Sequence, residues 1–234
     1  KCPKYENFCS DMKNNAPIKS IQSIFGLNDT GNIFMYNWPV YQSAAAFWQS
    51  YPHIFGSRSA VCCVPHAIDQ DPYFRLARDI APKMNILKPT NIMCTFLPPI
   101  SGHDGKMSSS KADATLFLTD TKEVITEKIM KLCKSGADPD PEVHKQKGGN
   151  VDKDLAFQYL RYFELDDDKL QKIKEDFTSG KLSAVGIKQI LVDKLWEVIS
   201  EVQKNRAKID EELMKEFYSL KSMKLPEPKM KEII

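Results

Sequence analysis

The feature that most restricts what this chain can fold into is a strand, helix, strand succession between residues 60 and 96. Ala60-Val61-Cys62-Cys63-Val64 and Asn91-Ile92-Met93-Cys94-Thr95-Phe96 are apolar runs too short for independent helices, and they read as buried strands. Between them, Asp71-Pro72-Tyr73-Phe74-Arg75-Leu76-Ala77-Arg78-Asp79-Ile80 begins with an acidic cap and a proline near the first helical position. It then runs at helical spacing. Two strands joined through a helix pair in parallel, so an α/β sheet with helices on its faces is expected, and such sheets bind ligands at the carboxyl ends of their strands.

After Asp120 the character changes to amphipathic helices. Ile187, Ile190, Leu191, Leu195, Val198, Ile199 and Val202 form one apolar stripe, with Lys188, Asp193, Lys194, Glu197 and Glu201 opposite. Leu155, Tyr159, Leu160 and Phe163 make a second stripe, and Leu170, Ile173 and Phe177 a third. Residues 219–234 are rich in Lys and Pro and read as a frayed tail. There is no internal repeat.

Composition narrows the function classes. A hydrophobic content of 42% suits a packed core, and a net charge of +2 excludes a globally basic nucleic-acid binder, so any RNA affinity needs a local patch. Six cysteines show neither a disulfide framework nor the spacing of a zinc site, which reads as free thiols in a reducing compartment. No run approaches the ~20 apolar residues of a membrane span, and no signal peptide or initiating Met is seen at Lys1, which suggests a piece of something longer.

The sharpest local chemistry lies in Ser101-Gly102-His103-Asp104-Gly105-Lys106-Met107-Ser108-Ser109-Ser110-Lys111. Two glycines loosen the backbone, and a lysine followed by consecutive hydroxyls offers a point charge and several donors to phosphate oxygens. Such a loop suits a triphosphate; a solvated Ser-rich turn is the alternative. No Walker-type Gly-x-x-x-x-Gly-Lys-Ser/Thr run occurs.

Lys106 to Ser110 resembles the Lys-Met-Ser-x-Ser loop of class I aminoacyl-tRNA synthetases. Upstream, Ala67-Ile68-Asp69-Gln70-Asp71-Pro72-Tyr73-Phe74-Arg75 is similar to the Asp-Gln segment of the tryptophanyl-tRNA synthetases of eukaryotic and archaeal type. Downstream, Thr115 to Asp120, Gly148-Gly149-Asn150, Asp166 to Leu170 and Thr178-Ser179-Gly180 match in order, so the resemblance spans almost the whole chain. It implies the C-terminal half of a Rossmann-like catalytic domain in residues 1–120, an all-α anticodon-binding domain in 121–208, and a last helix in 209–234 folding back on the first domain.

By the same resemblance, Gln42 and Gln70 contact the ammonium and carboxylate of L-tryptophan, a task an amide suits because it can donate and accept. Asp69 accepts from ATP ribose hydroxyls, and Lys106, Met107, Ser108 and Ser110 bind the ATP phosphates, with Lys106 catalytic. On residue pattern alone, Gln42 is an exposed helix residue and Asp69 or Asp71 a helix cap. The implied substrates are ATP with magnesium, L-tryptophan and tRNA(Trp); the implied setting is a cytoplasmic homodimer without membrane contact. Clustered cations for tRNA are sought at Lys188, Lys194, Lys204 and Arg206.

The sequence departs from the family in several places. Ser109 stands where many class I enzymes have a second lysine, and Lys111 is not a family lysine. His66 stands where a small or polar residue is expected beside the pocket. No His-Ile-Gly-His-like element occurs, and Pro52-His53-Ile54-Phe55-Gly56 reads as a helix end that packs Ile54 and Phe55 into the core. Asp166-Asp167-Asp168 reads as a helix cap rather than a metal site. His144, with Lys145 and Lys147, reads as a solvated loop or an RNA contact. Two other readings stay open: the tyrosine enzyme of the same subclass, and a non-catalytic synthetase-like fragment that binds RNA or protein.

Overall fold

Helix ends set the first part of the chain. The computed structural model describes residues 3–102 and 114–219, so the Lys106 to Ser110 motif and the tail beyond Ser219 lie outside the described residues. Helix α1 (Pro3–Asn14) is followed by α2 (Ile18–Phe25), which stops at Gly26 in the left-handed region, φ 65°, where a side chain would be strained. Helix α3 (Ile33–Ala44) starts at Asn32, whose side chain accepts from the Met35 N–H. A 3-10 turn (Trp48–Ser50) and the short α4 (Pro52–Phe55) follow; Ile54 and Phe55 are half-buried there and contribute nothing to the buried core.

Strand β1 (Cys63–Ala67), a 3-10 turn (Ile68–Gln70), α5 (Asp71–Ile80) and β2 (Thr90–Cys94) form the expected crossover. The strands pair in parallel, from Cys63 opposite Thr90 to Ala67 opposite Cys94. β1 starts three residues later than the apolar run suggested and passes through Pro65. With no strand on the other side of β1 among the described residues, the missing Pro65 N–H breaks no ladder bond there. Asp71 is the first residue of α5 rather than its cap; it pairs with Arg75 at 2.9 Å and Arg78 at 3.7 Å. The core of this part, with Phe8, Met12, Val40, Phe47, Leu76 and Ile80, comes from helices α1 to α3 and α5 and from the segment after α3.

Contacts divide the chain into two compact units, the first ending at Phe96 and the second running from Leu97 to Ser219. The second starts upstream of the change in sequence character near Asp120. Ile100 is buried in its helical core, and the Tyr159 hydroxyl donates to the Pro98 carbonyl. Its helices are α6 (Lys122–Leu132), α7 (Pro141–Lys147), α8 (Leu155–Phe163), α9 (Asp167–Thr178), α10 (Ala184–Arg206) and α11 (Glu211–Tyr218). Each is opened by a Thr, Asp or Ser (Thr121, Asp140, Asp154, Asp166, Ser183 and Asp210) whose side chain accepts a backbone N–H of the first turn. A cap contributes about 1 kcal/mol, so helix starts are strongly specified throughout this unit. Asp154 is fully buried, yet its second oxygen takes the Ser135 hydroxyl and the Gly136 N–H, both at 2.9 Å.

The three expected stripes supply this core. Leu155, Tyr159, Leu160, Ile173, Phe177, Ile187, Leu191, Leu195 and Ile199 are buried in one cluster, whereas Val198 and Val202 are exposed and Val192 is buried instead. The inward face of α10 is thus rotated towards Val192. The five described cysteines form no disulfide, and burial pushes the Cys133 thiol up to about 12 and Cys9 to about 11. Leu213 and Phe217 on α11 are exposed, Phe217 at 76%, and Ile209, expected on the same helix, is exposed just before its start. No described helix is long and apolar enough to cross a membrane.

Candidate functional site

In the first unit, α3 delivers Gln42 and the tight strand-to-helix connection after β1 delivers Gln70. Ala67 is extended (φ −84°, ψ 166°), and the chain then turns at once into the 3-10 segment Ile68–Gln70 and α5, which puts Gln70 just beyond the carboxyl end of β1. α3 is held there by the buried Ser43, whose hydroxyl lies 2.7 Å from the Pro39 carbonyl and 3.0 Å from that of Tyr73 on α5. Between these elements lies a cavity of about 230 Å³, lined among others by Gln42, Ala46, His66, Gln70, Tyr73 and Phe74.

The two glutamines meet inside it, Gln42 Nε2 donating to Gln70 Oε1 at 3.1 Å. That bond uses one donor of Gln42 and one acceptor of Gln70. It leaves the Gln42 carbonyl oxygen and the Gln70 amino group facing in complementary senses, and exchanging both amides leaves the same complement. One acceptor beside one donor pair suits a group that carries an ammonium and a carboxylate on adjacent atoms. Much of the rest of the wall, Ala46, Val64, Tyr73 and Phe74 among it, is apolar or aromatic, with Ser43 and His66 as its further polar side chains. A small amphoteric head with an apolar body fits such a lining.

His66 is a pocket residue that pattern reading left without a role. It is 8% exposed, its ring stacks on Phe74 at 4.2 Å and 14°, and its nitrogens lie 2.7 Å from the Ala67 carbonyl and 2.7 Å from the Asn91 side-chain amide. The sequence signal was only that a ring stood at an unexpected position; its partner on β2 is 25 residues away.

Asp69 lies in the 3-10 turn and is exposed, next to Gln70 but outside the cavity lining. Lys106, Met107, Ser108 and Ser110 lie outside the described residues. Of the four candidate RNA-facing cations, Lys204 and Arg206 are exposed. Lys188 donates to the Met130 carbonyl at the C-terminal turn of α6, and Lys194 is mostly buried between Glu197 at 3.1 Å and Glu164 at 3.6 Å. Both spend their charge within the helical unit. Among the described residues no three or more His, Cys, Asp or Glu side chains gather as a metal site, and Asp166 caps α9 as expected.

His144 overturns its reading as a loop or RNA residue. It sits on α7, buried, with Nε2 2.9 Å from the Leu182 carbonyl and its ring against Phe177. Around it Gly148-Gly149 meets Thr178-Ser179-Gly180. A Cβ on Gly148 would sit 1.6 Å from the Thr178 carbonyl oxygen, and Gly148 also has φ +75°. Two of the matched sequence segments are therefore two sides of one close backbone crossing.

Comparison with known proteins places the chain in a family. Residues 50–199 match the family model for tRNA synthetases class I (W and Y). The chain is 40% identical over 214 residues to the cytoplasmic tryptophan--tRNA ligase of Homo sapiens, covering 91% of this chain and 45% of that protein. It is 42% identical over 187 residues to the tryptophan--tRNA ligase of Sulfurisphaera tokodaii, covering 80% of this chain and 47% of that one. The chain thus spans about half the length of the curated relatives it matches. A product-bound parasite tRNA synthetase superposes with TM-score 0.85 at 36% identity, and the tryptophanyl-tRNA synthetase of Plasmodium falciparum with 0.82 at 35%; each covers 93% of this chain and 59% of its own. With well over half of its residues inside the family model, the chain belongs to the class I tRNA synthetases of the tryptophan and tyrosine group.

Proposed function

We propose that this chain is the second half of a tryptophan--tRNA ligase, which activates L-tryptophan with ATP and passes it to tRNA(Trp). The observation that carries the reading is the Gln42 and Gln70 pair at the carboxyl end of β1, a donor and acceptor set matched to an amino-acid head. A carboxylate oxygen of tryptophan attacks the α-phosphorus of ATP, the bond to pyrophosphate breaks, and a ribose hydroxyl at the tRNA terminus then takes the acyl group and releases AMP.

Gln42 and Gln70 hold the head so that the carboxylate faces the phosphate, which lowers the entropy cost of the attack. Asp69 accepts from the ATP ribose hydroxyls. Lys106, with Met107, Ser108 and Ser110, cradles the phosphates, and Lys106 offsets charge on the departing pyrophosphate. Magnesium enters with ATP as part of the substrate. Lys204 and Arg206 face tRNA phosphates, while Lys188 and Lys194 brace the helices behind them. The protein works in the cytoplasm, as the human relative's name says of that protein, and as a homodimer.

The test is ATP–pyrophosphate exchange by a longer polypeptide that carries this chain. Exchange should depend on tryptophan. Dependence on tyrosine instead would move the chain to the other branch of the family, and no exchange with either amino acid would make it a non-catalytic relative. This chain alone, whose match covers 45% of the human relative, should give no exchange.

A further inference from the structure

The ring of His66 is held in one protonation form by its neighbours. Its Nδ1 lies 2.7 Å from the Ala67 carbonyl, which can only accept, so Nδ1 carries the hydrogen. Its Nε2 lies 2.7 Å from Asn91 Nδ2, and the other end of that amide, Oδ1, faces Arg78 Nη1 at 3.5 Å. A guanidinium only donates, so it turns the Asn91 oxygen towards itself and the amino group towards His66. Nε2 therefore accepts, and the imidazole is neutral.

These bonds enclose Gln70 from both sides. On one side His66 pins the carbonyl of Ala67, the residue from which the chain bends into the 3-10 turn that ends at Gln70. On the other, Arg78 pairs with Asp71, the residue after Gln70, and Asp71 is held in turn by Arg75 at 2.9 Å. Both arms meet at Asn91, whose place on β2 opposite Val64 is set by the sheet register. The flat stack on Phe74 keeps the ring from turning out of this plane. The segment that carries Gln70 is thus tied to β2 through one amide.

We infer that His66 is a positioning residue: its neutral imidazole, held between Asn91 and the Ala67 carbonyl, fixes the turn that aims Gln70 into the pocket. The inference rests on the reading of that pocket as the amino-acid site, and it adds a residue that acts through Gln70.

Three variants test it: His66→Ala, His66→Asn and Asn91→Leu. Asparagine places its amide nitrogen near the position of imidazole Nδ1 and can still donate to the Ala67 carbonyl, so it is the rescuing change. In the longer polypeptide, His66→Ala should raise the KM for tryptophan about tenfold while kcat and the KM for ATP hold, and His66→Asn should recover most of the loss. Equal effects on both substrates, or no recovery by asparagine, would reduce His66 to a packing residue.

A second readout uses this 234-residue chain without ligand. Nitrogen NMR of labelled histidine should show the hydrogen of His66 on Nδ1, and Asn91→Leu should release that preference. The Gln70 side-chain amide signal should shift in His66→Ala and return in His66→Asn. A hydrogen on Nε2 in the unmodified chain, or an unmoved Gln70 signal, overturns the inference even where tryptophan binding is intact. Conversely, a moved Gln70 signal in a protein whose exchange never depends on tryptophan keeps the positioning role and discards the amino-acid reading.

Discussion

From Leu97 onward helices α6, α8, α9 and α10 each place side chains in a shared buried interior, α7 adds the buried His144 against Phe177, and all six helices start on a side-chain cap; in the unit that ends at Phe96 the buried apolar residues include none from β1 or β2. His66 is the only buried side chain on either strand. Along β2, Ile92 is 59% exposed and Met93 49% exposed, and successive strand residues point to opposite faces, so β2 is uncovered on both. Parallel sheets are ordinarily buried on both faces. The contrast teaches that the helical unit buries its apolar stripes within itself, while the described strands of the first unit leave theirs exposed.

The largest expected effect tests the closed half of that contrast. Phe177 is fully buried, with His144 on one side and the Gly149 backbone so close that a Cβ there would lie 2.3 Å from the ring. Phe177→Ala removes that ring from a backbone crossing that cannot collapse inwards, and should lower stability by about 3–5 kcal/mol in urea unfolding of this chain. A loss below about 1 kcal/mol would mean the helical core is loosely packed and the contrast between the units false.

A smaller effect concerns pH. Glu164 is buried at the C-terminal end of α8, and a hydrogen bond from Lys169, with smaller help from the Asp166 N–H and Lys194, holds its carboxyl below the usual carboxylate range against the opposing effect of burial. A folded value below the unfolded one adds stability that is present above the unfolded value and lost as pH falls through the folded one. Lys169 is half-exposed, so the pair is screened; Glu164→Gln should cost about 1 kcal/mol at neutral pH and nothing once both proteins are below the folded value. Urea midpoints across pH 2–7 measure it. A gap between variant and parent that persists unchanged into acid would show that Gln perturbs packing rather than charge.

How much was legible in the sequence differs between the units for the same physical reason. The stripes of α8, α9 and α10 and the Asp166 cap were readable because their partners lie within a turn or two, and local periodicity records that. The start of β1, the bond of His144 to Leu182, that of Lys188 to Met130, the pairing of Lys194 with Glu164 and the bond of His66 to Asn91 all depend on partners 25 to 58 residues away, beyond the reach of local periodicity. Gln42 and Gln70 stand 28 residues apart and were paired in advance only through family resemblance; their meeting in one cavity is a property of the fold.

The smallest expected effect in this chain is also the one that decides the open half of the contrast. Ile92 on β2 is well exposed, so Ile92→Ser should change the stability of the 234-residue chain by no more than about 0.5 kcal/mol, the ordinary range for a surface position. In a longer polypeptide whose added chain covers the sheet, the same side chain is buried. Deleting it and leaving a hydroxyl among apolar neighbours should then cost about 2–5 kcal/mol, because a cavity and an unpaired polar group are created together. Thermal and urea unfolding of both proteins, each with and without Ile92→Ser, reads the difference directly. A large loss in this chain would show that the strand face is already packed, and a small loss in both would show that the face stays in water and that whatever completes the protein docks elsewhere.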